Sequence, residues 1–147
     1  MAEDGTLALL LEQAERARDE ALLQLRQAEA RAAHAQAQAR DLGDYQQQHD
    51  RRWLAQFREQ GAGVAIVQAH HQFGQRLQDA IGQQAQQARM LETRLLAARQ
   101  LLVEREMAVA KVAKLIERRH AERVSRQLKA EQKASDEFAA QRHRSPS

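Results

Sequence analysis

The chain has 147 residues and a mass of 16.7 kDa, with 29 alanines, 22 glutamines, five aromatic residues, one proline (Pro146) and no cysteine. Disulfide scaffolds and cysteine-ligated zinc are excluded, and scarce β-branched and aromatic residues argue against a sandwich or barrel. No apolar run approaches the ~20 residues of a membrane span, and the acidic start Met1-Ala-Glu-Asp lacks the basic region of a secretory signal, so a cytoplasmic protein is expected.

In chain order, the first predicted element is a helix over about 6–60, with Thr6 as its cap and Glu3 and Asp4 near its positive end. Gly61-Ala62-Gly63 is the strongest breaker, because glycine adopts the positive φ a tight reversal needs. A second helix is expected over about 64–142, and residues 144–147 are expected to fray. Gly43, Gly74 and Gly82 read as weak points inside helices rather than ends. The whole chain, 1–147, reads as one hairpin domain.

Heptad templates fit both halves. The first seam runs Leu7, Leu11, Ala14, Arg18, Ala21, Leu25, Ala28, Ala32, Ala35, Ala39, Leu42, Gln46, His49, Trp53, and eleven of these fourteen are apolar. The second runs Leu77, Ile81, Gln84, Ala88, Leu91, Leu95, Ala98, Leu102, Arg105, Val109, Val112, Ile116, with ten of twelve apolar. A 3-4 spacing keeps one narrow stripe facing a partner helix. Folding the chain at the glycines pairs seam positions whose numbers add to 123, such as Leu7 with Ile116 and Leu25 with Ala98. The expected fold is therefore all-α: two long helices in an antiparallel coiled-coil hairpin, the second longer than the first. Arg18 and Arg105 share a layer and must reach outward to acids or water. At ~1.5 Å per residue the arms are roughly 80 and 115 Å long, which leaves residues near 119–142 without an intramolecular partner. An intermolecular four-helix arrangement would satisfy the same heptads.

The net charge of +3 is unevenly placed. Residues 1–117 carry 15 basic and 16 acidic side chains, whereas residues 118–147 carry 8 and 4. The tail could neutralise phosphates, but its interleaved acids equally describe a mixed-charge, solvated helix. Catalysis wants a concave pocket with convergent polar groups, and a two-helix hairpin offers none. No P-loop, Rossmann or HExxH motif is present. No two of the six histidines have the i, i+4 spacing that aligns ligands on one helix face. No catalytic residue, metal or cofactor is expected.

Four of the five aromatic residues lie between positions 45 and 73. Tyr45, His49, Trp53 and Phe57 form a four-residue ladder, with Phe73 across the turn. They either fill a wider tip where the alanine seam ends or form an interaction patch. Gln38, Leu42, Tyr45, His49 and Phe73, Leu77, Ala80, Gln84 share a 4-3-4 spacing and lie at one height of an antiparallel hairpin. Leu42, His49, Leu77 and Gln84 belong to the seam. Gln38, Tyr45, Phe73 and Ala80 flank it.

Leu42-Gly-Asp-Tyr45-Gln46, Gln72-Phe73 followed by Leu77, Ala80 and Ile81, and Asp136-Glu-Phe-Ala139 resemble the flagellar type III export protein FliJ family, as do the length, the start and the unequal helices. The resemblance implies a non-enzymatic coupling factor. Such a factor binds the hexameric export ATPase as a central stalk, promotes its ring assembly, and links it, with its regulator, to the cytoplasmic domain of the export gate and to export chaperones. It also implies a peripheral place at the cytoplasmic face of the inner membrane. By motif match, the gate-binding positions are Gln38, Leu42, Tyr45, Phe73, Leu77 and Ala80. His49 and Gln84 depart from the family pattern, which favours tyrosine and histidine there. The ATPase contact is expected at the chain ends, including Arg118, Arg119, Arg123, Arg126 and Lys129. Neither nucleic acid nor a small-molecule ligand is expected. The alternatives are an injectisome stalk homologue, a basic coiled coil binding nucleic acid, and a stator-like helix pair of a rotary ATPase.

Overall fold

The structure, a computed structural model, describes residues 2–144. It consists of α1 (Ala2–Gln60) and α2 (Val64–Arg144), with no strand among the described residues. The helices pack as an antiparallel coiled-coil hairpin, the second longer than the first. Neither contains a proline, and Gly43, Gly74 and Gly82 lie within them without a break.

The chain reverses at Gly61-Ala62-Gly63. Gly61 has φ of 66°, and its N–H donates to the Phe57 carbonyl at 3.0 Å. A left-handed glycine just past the last helical residue is the usual way to satisfy an orphan carbonyl and stop a helix. The Gly63 carbonyl accepts from Val67 N–H at 3.1 Å and so starts α2. Only Gly61 of this pair takes the left-handed conformation.

Two terminal expectations are corrected. Helix α1 begins at Ala2, so Thr6 sits inside it rather than capping it. Glu3 and Asp4 occupy the first turn, where negative charge is favourable, and both are held by arginines of α2. Helix α2 runs to Arg144, two residues past the expected end. The rest of the segment expected to fray, residues 145–147, lies outside the described residues.

Contacts between the helices gather into two units. One joins Met1–Asp19 to Val103–Ser147; the other is Glu20–Leu102. In the second unit Leu25, Ala32 and Leu95 are buried, with Ala28, Leu91, Ala98 and Leu102 packed around them. Ala21, Ala32 and Ala35 are only 2% exposed, deeper than any leucine, because a side chain of one carbon lies close to the backbone and is covered when helices approach. Two polar seam residues find partners there. Gln46 Nε2 donates to Gln78 Oε1 at 2.8 Å, and Gln84 Nε2 donates to the Ala35 carbonyl at 3.3 Å and to Gln38 Oε1 at 3.2 Å. Polar seam groups that can bond in only one alignment select the register.

In the first unit Leu7 is buried, while Leu11, Ala14, Val109, Val112 and Ile116 are half-buried. Leu7 and Ile116 line one small pocket, consistent with the expected register. Arg18 turns to Asp19 Oδ1, with Nε at 3.1 Å and Nη2 at 3.0 Å, and Arg105 is exposed. Arg18 thus stays half-buried while its guanidinium turns to an acid, Arg105 faces solvent, and among the described residues no charge is buried.

Candidate functional site

The two 4-3-4 stripes meet in the unit Glu20–Leu102. Gln38 and Gln84 are hydrogen-bonded, and the rings of His49 and Phe73 lie 4.7 Å apart. The eight residues are not equivalent. Gln38, Tyr45 and Phe73 are exposed, with 49% of Tyr45 and 38% of Phe73 accessible. Leu42, His49, Ala80 and Gln84 are half-buried, and Leu77 is buried. Two exposed aromatic rings thus meet the half-buried His49, in the same unit as the buried Leu77.

The ladder toward the turn resolves both ways. His49 and Trp53 point into the seam and are half-buried, whereas Phe57 is 48% exposed. His70 is held between them: its ring stacks on Trp53 at 3.9 Å and on His49 at 5.2 Å, within 8° of parallel in both cases. Tyr45 stacks on His49 at 6.2 Å, and Trp53 meets Phe57 at 6.1 Å. His70 was not among the sequence candidates. The signal was present, because continuing the second seam back from Leu77 reaches Gly74 and then His70, opposite Trp53. These ring contacts tie α1 to α2 where the alanine seam ends. Among the described residues, no three histidine, aspartate or glutamate side chains gather as a metal site would require.

The basic end of α2 is less free than expected. Arg119 is bonded to Glu3 and Arg123 to Asp4. The partnerless stretch expected from about residue 119 therefore begins after Arg123, because α1 extends one turn further than Thr6. Arg126 lies 3.9 Å from Glu122 on its own helix. Among the described residues, Arg118 and Lys129 have no carboxylate at ion-pair distance. Residues 121–144 are exposed throughout, including Val124, Leu128 and Phe138. Pairs as exposed as these are worth at most about 1 kcal/mol each, so a competing acidic partner can displace them.

Among the described residues no helix is long and apolar enough to cross a membrane. The family model of the flagellar FliJ protein matches residues 3–147. The chain belongs to the FliJ family. Comparison with curated proteins and with solved structures gave no match. FliJ membership supports a role related to flagellar export, in association with the export machinery, and the family is non-enzymatic.

Proposed function

We propose that this FliJ-family chain is a non-enzymatic coupling factor of the flagellar type III export apparatus. In this role the chain-end unit engages the export ATPase and its regulator as a central stalk and promotes ring assembly. The stripes near the turn engage the cytoplasmic domain of the export gate, and export chaperones are further partners. The protein acts in the cytoplasm, peripherally at the inner membrane. The observation that carries this is the family match over residues 3–147. The geometry supports it: Tyr45 and Phe73 stand exposed beside Gln38 and Gln84, in the arrangement of an interaction hot spot.

Gln38, Leu42, Tyr45, Phe73, Leu77 and Ala80 make up the gate surface in this proposal. Tyr45 and Phe73 supply contact area, and both rings meet His49. His49 and Gln84, which depart from the family pattern, serve the hairpin itself through ring stacking and hydrogen bonds. For the ATPase, Arg118 and Lys129 are free of carboxylates and Arg126 is held only loosely by Glu122, while Arg119 and Arg123 must first leave Glu3 and Asp4.

The test reverses the available charges, Arg118→Glu, Arg126→Glu and Lys129→Glu together. Ring assembly and ATPase stimulation are expected to fall at least about tenfold, since like charges facing each other across an interface cost several kcal/mol. Helicity should be unchanged because all three side chains are exposed. Undiminished stimulation would remove this end of α2 from the ATPase contact.

A further inference from the structure

The turn end carries an apolar cap that neither the seam nor the two stripes use. Leu54 and Phe57 on α1 are 51% and 48% exposed, and Val64, Ile66 and Val67 on α2 are 76%, 57% and 42% exposed. All five lie within fourteen residues around Gly61-Ala62-Gly63. Arg51, Arg52 and Arg58 are exposed beside them, against one exposed acid between positions 51 and 73, Glu59. We infer that this cap is a lipid-docking element, which inserts end-on into the interfacial region of a bilayer rich in anionic lipid.

Three observations favour that occupant. The first is depth. At ~1.5 Å per residue, Leu54 to Gln60 spans about 9 Å and Val64 to Val67 about 4.5 Å. That matches the roughly 5–10 Å to which interfacial apolar faces sink. The second is charge order. Arg51 and Arg52 lie about 12–14 Å from the end of α1, at headgroup height when the apolar cap is inserted, and each basic group at an anionic surface adds about fivefold to binding. Arg58 and Glu59 lie within the inserted length and must extend their charged ends back to the headgroups. The third concerns a second copy. Tip-to-tip association would face the three arginines with the same three, and like charges across an interface oppose association. The inference is independent of the proposed gate and ATPase contacts.

Trp53 is the only tryptophan, and it sits in the last turns of α1, which makes it a built-in reporter. The full chain would be floated with vesicles of phosphatidylglycerol mixed equally with phosphatidylethanolamine, and with vesicles of phosphatidylcholine alone. Flotation with the anionic vesicles only is expected, with Trp53 fluorescence quenched by lipids brominated close to the headgroup. Val64→Ser/Ile66→Ser should weaken flotation at least about tenfold, and Arg51→Gln/Arg52→Gln about fivefold per arginine. Both variants should match the parent chain in helicity and in binding to the export-gate domain, which separates failure of this inference from failure of the gate proposal. No flotation, or flotation that the Val64/Ile66 variant leaves intact, would overturn it. So would a dimer cross-linked through position 66 in place of lipid binding.

Discussion

Leu95→Ala is expected to destabilise the protein by about 2–3 kcal/mol, the lower part of the usual range for leucine truncation in a core. Leu95 is 6% exposed and touches the cluster of Leu25 and Ala32, flanked by Ala28, Leu91, Ala98 and Leu102. Half of these six neighbours are alanines, which have no length to swing into the space it leaves. Water can reach a two-helix seam from its open sides, which keeps the cost below that of a sealed cavity. Alanine is the better helix former, so the loss cannot come from local propensity and must come from packing. The adjacent Leu96 is 55% exposed, and Leu96→Ala should change stability by no more than about 0.5 kcal/mol. Urea unfolding followed by circular dichroism reads both. Equal effects at the two positions would show that the seam is not where the hairpin is held.

Tyr45→Ala/Phe73→Ala is expected to abolish binding to the cytoplasmic domain of the export gate while leaving the fold in place. Exposed aromatic anchors at the centre of an interface lose at least about 2 kcal/mol each on truncation, roughly 30-fold apiece. Both rings keep substantial exposure, and the seam beneath them is carried by Leu42, Leu77 and Gln84, which the variant retains. Loss of the Phe73–His49 contact at 4.7 Å removes one ring pair of several near the turn. Calorimetry against the gate domain, with circular dichroism as the control for folding, separates the two roles. Undiminished binding by an equally helical variant would return both aromatics to packing.

Much of the fold was legible because a coiled coil writes its contacts into spacing. All fourteen positions of the first seam are buried or half-buried, and in the second only Arg105 is exposed. Register was legible through the same spacing, since Trp53 meets His70 and Gln46 meets Gln78 at or beside the expected alignment. The ends were less legible. Arg119 and Arg123 read as free cations, because an ion pair between residues more than a hundred positions apart leaves no local pattern. Thr6 read as a cap, because the acids before it suit a helix start and nothing local shows that they lie inside the helix. His70 is hard to read from the sequence, because the apolar run of the second seam begins at Leu77 and a histidine does not register as apolar. The two stripes could be placed at one height from numbering alone. That Leu77 would be buried while Tyr45 and Phe73 stayed exposed depends on where each lies on its helix relative to the seam. What the stripes bind comes from family resemblance rather than from geometry.

The central claim is that one chain joins the export ATPase to the export gate. It is tested most directly by immobilising the gate's cytoplasmic domain and asking whether it retains the purified ATPase. Retention only when this protein is added, lost both with Tyr45→Ala/Phe73→Ala and with the triple charge reversal on α2, is the expected result. Retention of the ATPase to the same extent without the protein, or with both variants, would contradict a coupling role.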